Sequence, residues 1–160
     1  LKATVDQLKA LLSQELDIYH KLYQLAEQKK KLLLEKFSTE LQGIVTQEEI
    51  LVQRLIDIEP ERISCVAKIA GREDANLDEA VEAVAEADGK SDLWMTGSKL
   101  KDAVAAIKKI NDENQRLLEQ ALELTQYSIK LITRAPKDVT YGASGVQGSK
   151  KGHSLIDRKA

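Results

Sequence analysis

Asp17 and His20 stand three residues apart, so on a helix they would offer a carboxylate and an imidazole to one metal ion from one face. A di-iron bundle needs two Glu-x-x-His pairs and further glutamates, and no second pair exists in the chain. Phosphotransfer through His20 is not supported either, because Lys21-Leu22-Tyr23-Gln24 follows it where a Lys-Gly would be expected. His153 sits in a Gly-bearing stretch with no fixed neighbours to tune it. Gly89-Lys90-Ser91 has the ending of a phosphate-binding loop, but its first glycine would fall at Val84 and no parallel sheet is indicated. Cys65 has no histidine near it in sequence and is read as a small core residue rather than a nucleophile. The acidic residues Glu73, Asp74, Asp78, Glu79, Glu82, Glu86 and Asp88 lack the alternating loop, fixed glycine and closing glutamate of a calcium hand, so they are read as a solvated face. These groups do not converge into an enzyme, and the chain is expected to need no cofactor or catalytic metal.

The elements that would position such groups are helices. Of the 160 residues 42% are hydrophobic, 31% charged and only 4% aromatic, with two prolines, which together describe one domain with an aliphatic helical core. A net charge of −2 provides no concentrated basic face for nucleic acid. No apolar run approaches the roughly 20 residues that cross a bilayer. The amino terminus has no basic region followed by an apolar segment, and the single cysteine suits a reducing compartment, so a cytoplasmic protein without membrane insertion is expected.

The organising element is a long helix over 96–134. Leu100, Val104, Ile107, Leu118, Ala121, Thr125 and Ile132 recur at three- and four-residue steps and form an apolar seam. Asn111 and Asn114 fall on the same seam, where paired amides would fix its register. At ~1.5 Å per residue this helix would span roughly 58 Å, too long for a compact bundle. The fold expected is therefore all-α, an elongated antiparallel helical bundle or coiled coil with a flexible carboxy-terminal tail.

Helices are expected at about 1–36, 39–58, 60–70, 76–88 and 96–134, making 1–134 the bundle. The first carries Val5, Leu8, Leu12, Leu16, Tyr19, Leu22, Ala26 and Leu33; Glu15 and Lys29 on its seam are placed at the edge, with pairing to another helix as the alternative. Thr39 and Gln42 have the form of a capping box opening the second, and Pro60 fits the first turn of the third, which Gly71 closes. Asn76 and Glu79 offer another capping box. The segment 89–97 is read as a connection in which Trp94 plugs one end of the bundle, an exposed partner anchor being the alternative. The first two helices are either antiparallel neighbours or one kinked rod.

In the tail, 135–160, the composition changes. It holds Pro136 and four of the eight glycines, and Lys137, Lys150, Lys151, Arg158 and Lys159 outnumber Asp138 and Asp157.

Three stretches resemble the FlgN family of flagellar export chaperones. Glu15, Tyr19 and Leu22 resemble its first helix; Ile107 leads into Asn111-x-x-Asn114-x-x-Leu117-Leu118; and Tyr141-Gly142-Ala143-Ser144-Gly145 resembles its Tyr-Gly element after the last helix. The resemblance implies a type III secretion chaperone that binds the hook-associated proteins FlgK and FlgL and delivers them to the export gate FlhA. It also implies that Leu118, Leu122, Ile129 and Ile132, with the tail, supply a groove and flap for a client helix, and that Tyr141 on its Gly142 and Gly145 loop docks at the gate. A structural or adaptor coiled coil that self-associates through the same seams is the alternative, and a homodimer is compatible with either.

Overall fold

The structure is a computed structural model that describes residues 1–35 and 39–137. Among the described residues four helices follow in order: α1 (Lys2–Glu35), α2 (Leu41–Ala70), α3 (Leu77–Ala83) and, after a 3-10 turn at Glu86–Asp88, α4 (Lys90–Lys137). The protein is all-α, as the spacing of its apolar residues requires.

α1 lies between α2 and α4, which hardly touch one another. Gln7 reaches Glu61 and Lys29 reaches Glu48, so rising numbers on α1 meet falling numbers on α2 and the two helices are antiparallel neighbours. Lys9 meets Asp92 and Lys30 meets Glu113, so α4 runs parallel to α1. The core has two parts. One packs Val5, Leu8 and Leu12 against Cys65, Val66 and Ile69 of α2, Ala80 and Val81 of α3, and Leu93 and Leu100 of α4. The other packs Ile18, Leu22 and Leu25 against Ile44 and Leu51.

The expected break at Pro60 does not occur, and α2 is continuous from Leu41 to Ala70. Proline removes one backbone donor, but here its ring is on the exposed side of the helix. The carbonyl left over can be hydrated there, while Ile58, Cys65 and Ile69 keep packing inward. The Thr39 capping box is also absent: the cap is Glu40, in helical conformation and without a side-chain hydrogen bond. Gly71 does close α2, in the left-handed conformation (φ 75°), with its N–H on the Ala67 carbonyl at 2.8 Å. The capping box at Asn76 forms in full: Asn76 Oδ1 accepts from the Glu79 N–H at 2.9 Å and Glu79 Oε2 from the Asn76 N–H at 2.8 Å. Asn76→Ala should therefore lower unfolding stability by about 1 kcal/mol, measurable as an earlier urea midpoint with unchanged slope.

The helix expected over 76–88 is instead α3 followed by the 3-10 turn, because Val84 and Ala85 are extended. Gly89 (φ 96°) ends that turn, and its carbonyl accepts from Leu93 N–H at 3.1 Å to start α4. α4 thus begins at Lys90 rather than near residue 96, and it continues to Lys137, past 134. Gly97, taken for part of a connection, is buried within α4 next to Leu77 of α3. Trp94 does not plug the bundle. It is 60% exposed, and its neighbour Leu93, at 0%, fills the core.

Candidate partner-binding site

The seam of α4 that packs on α1 outlasts α1. With Lys30 level with Glu113, the end of α1 at Glu35 is level with about residue 118, and the remaining turns to Lys137 project roughly 28 Å at ~1.5 Å per residue. Along this projection the seam continues as Leu118, Leu122, Ile129 and Ile132. Leu118 and Leu122 are half-buried, whereas Ile129 is 44% and Ile132 71% exposed. An apolar periodicity that would ordinarily be buried has run beyond its partner helix.

Where α4 leaves the bundle, a groove of about 580 Å³ opens among three helices. Leu33 of α1, Leu41 and Val45 of α2, and Leu118 and Leu122 of α4 give it apolar walls. One ion pair, Lys29 with Glu48, lines it, and a second, Lys30 with Glu113, ties α1 to α4. Lys29 Nζ lies 2.7 Å from Glu48 Oε1 and donates to Oε2 at 3.0 Å, and Lys30 Nζ donates to Glu113 Oε2 at 3.0 Å. The second pair holds the Glu113 carboxyl below its ordinary range, chiefly through the hydrogen bond from Lys30.

Both seam asparagines border the groove, but the fold treats them differently. Asn114 is buried (4% exposed), and its Nδ2 donates to the Ala26 carbonyl at 2.9 Å. Since a carbonyl only accepts, that bond fixes the amide's orientation. It leaves Oδ1 as a buried acceptor without a partner among the described residues. Asn111 is exposed at the groove's border. An incoming helix can bury the groove walls together with Ile129 and Ile132.

Glu15 is buried rather than at the seam's edge. It is 5% exposed and its Oε1 lies 3.2 Å from Arg62 Nε. The contact is ionic rather than a well-aligned hydrogen bond, and Arg62 also bridges Glu59 at 2.9 Å. Burial raises the Glu15 pKa; Arg62 opposes the shift and Glu59 adds to it. This pair separates the two halves of the core and sets how α1 and α2 meet, upstream of the groove. Lys29 likewise pairs across to α2, so both seam charges of α1 follow the pairing alternative.

The remaining chemical candidates are scattered. Asp17 and His20 are exposed, and Cys65 is 1% exposed with a thiol pKa raised by burial. Among the described residues no three His, Cys, Asp or Glu side chains are grouped to hold a metal, and no helix is long and apolar enough to cross a membrane. Tyr141, Gly142 and Gly145 lie outside the described residues, as does the connection at Phe37 and Ser38. The groove walls Leu33, Leu41 and Val45 were not singled out from sequence as binding residues; their signal was that their seams extend to the very ends of α1 and α2.

Comparison with known proteins gives a consistent picture. A family model described as FlgN protein matches residues 4–148. A relative from Bacillus subtilis (strain 168), described as uncharacterized protein YvyG, is 26% identical over 143 residues, which is 89% of this chain and 87% of the relative. No solved structure matches the chain.

Proposed function

The chain belongs to the FlgN family of flagellar export chaperones, and from that premise we propose that it holds the helical termini of the hook-associated proteins FlgK and FlgL in the cytoplasm and hands them to the export gate FlhA. The family implies binding to flagellar export substrates in general; the choice of these two clients, the gate and the compartment is our reading.

The observation that carries it is the uncovered continuation of the α4 seam. A client whose terminal segment is unfolded before assembly exposes an amphipathic stretch that would otherwise bury itself against its own kind. Laid along Leu118, Leu122, Ile129 and Ile132, such a stretch becomes a helix in a groove, with apolar anchors at three- and four-residue steps. The groove mouth fixes its end. Asn111, exposed at the groove's edge, adds a polar border. The cost of ordering the client keeps affinity moderate, which suits a chaperone that must release its cargo.

Titration calorimetry with a carboxy-terminal fragment of a hook-associated protein tests this reading. One-to-one binding with a negative heat-capacity change supports it. Absence of binding by a chain that forms only homo-oligomers would favour the alternative, a structural or adaptor coiled coil. For gate docking the proposed residue is Tyr141 of the Tyr141-Gly142-x-x-Gly145 element, an aromatic side chain with a polar tip. Tyr141→Ala is expected to keep client affinity and to weaken gate binding at least tenfold; equal gate affinity in a parallel titration removes the role.

A further inference from the structure

The groove beside α4 has apolar walls on both sides, Leu41 and Val45 of α2 on one and Leu118 and Leu122 of α4 on the other, with Leu33 of α1 between them. Left open, it exposes a contiguous apolar surface to water. The chain carries a segment that can reach it. Residues 138–160 follow Lys137, and from Lys137 back to Leu122 and Leu118 is roughly 22–28 Å at ~1.5 Å per residue.

Reach selects what fills it. An extended chain covers at most ~3.6 Å per residue, so Tyr141, four residues past Lys137, extends at most roughly 14 Å and falls short. Val146 arrives only near full stretch. Leu155 and Ile156, eighteen and nineteen residues on, arrive with chain to spare, and between 147 and 159 they are the only apolar side chains. Gly142, Gly145, Gly148 and Gly152, with Ser144 and Ser149, give the intervening stretch the composition of a linker. A chain of that composition and length averages roughly 21–25 Å end to end, close to the span it must bridge, which is where effective concentration is highest. Adjacent side chains of an extended segment point to opposite sides, so Leu155 and Ile156 suit a groove with one apolar wall on α2 and another on α4.

We propose that Leu155 and Ile156 of the same chain occupy this groove when no client is bound, and that a client must displace them. The anchor is short. Two aliphatic side chains buried together correspond to an intrinsic dissociation constant of roughly 0.1–1 mM, against the roughly millimolar effective concentration of a short linker. The groove is then about half to nine-tenths filled, and apparent client affinity is lowered roughly two- to tenfold. Tyr141 stays outside the groove whether or not it is filled. As regulation of client binding this rests on the groove being the client's site; as a contact within the chain it does not, and the two are tested separately.

The contact is read by disulfide trapping of the full chain in a glutathione buffer, with circular dichroism to verify folding. Gln42 lines the groove and Gln47, on the same helix, lines a separate cleft between α1 and α2; both are exposed. Gln42→Cys/Ser154→Cys should form at least about fivefold more intramolecular disulfide than Gln47→Cys/Ser154→Cys, while Cys65 stays buried. Adding Leu155→Asp/Ile156→Asp should bring the two level. In the chain without added cysteines, Leu155→Asp/Ile156→Asp should bind the hook-associated carboxy-terminal fragment roughly two- to tenfold more tightly by calorimetry. Equal trapping at 42 and 47, disulfides formed between two molecules rather than within one, or an aspartate variant that binds the fragment no tighter than the wild type would each overturn the proposal. A fragment bound by neither chain sinks the client reading alone, and the trapping result then decides what fills the groove.

Discussion

Substituting Ile129 and Ile132 together by aspartate is expected to weaken binding of a hook-associated carboxy-terminal fragment by at least about 100-fold while leaving the melting temperature within a degree or two. The two side chains are 44% and 71% exposed, so the folded chain gains little from them. In a complex they become core. Burying an isoleucine contributes roughly 1.5–3 kcal/mol, and a carboxylate in its place also brings a desolvation cost, so the pair together exceeds the ~2.7 kcal/mol that corresponds to 100-fold. Surface hydrophobicity alone does not predict this. Ile50 and Ile56 on α2 are exposed to a similar degree, at 53% and 57%, but lie off the α4 seam. Ile50→Asp/Ile56→Asp should bind the fragment as the wild type does. If the α2 variant loses as much affinity as the α4 variant, client binding is not located on the projecting seam.

The second large effect concerns the buried Glu15–Arg62 pair. Arg62→Met should destabilise the fold by about 3 kcal/mol, because it leaves the Glu15 carboxylate buried without its counter-charge. Glu15→Gln, which removes the charge that needed compensating, should cost no more than about 1 kcal/mol, since Arg62 retains Glu59 and the shape of the site is kept. The pH dependence separates these cases. The folded-state pKa of Glu15 lies above its unfolded value because burial disfavours the charged form. Below both values Glu15 contributes nothing to the difference. As pH rises from the ordinary glutamate value of about 4.3 through the folded value, the unfolded chain gives up its proton first and stability falls. Without Arg62 the upward shift grows, so Arg62→Met should lose more stability between pH 5 and pH 7 than the wild type, and Glu15→Gln should lose less. Urea unfolding at the two pH values measures this; an Arg62→Met variant with the same pH slope as Glu15→Gln would show that the carboxyl is not held by the guanidinium.

The family, the all-α class and the seams that bury the core were legible in the amino-acid sequence, because each depends on which residue types recur at helical spacing or stand in a short motif. Gly71 and the Asn76 and Glu79 pair marked real helix ends for the same reason: capping is local, made by a side chain or a φ angle within a few residues. Pro60 and Gly97 misled as breaks, since each lowers helix propensity by an amount that packing can offset. The tertiary structure decided this at Pro60 by facing its ring to solvent, and at Gly97 by bringing Leu77 against it. It also decided that Glu15 is buried and paired, that Asn114 is inside while Asn111 is outside, and that α1 ends level with the middle of α4. Periodicity states that a face is apolar. What covers that face depends on the relative lengths and offsets of neighbouring helices, and those follow only once the chain has turned back on itself.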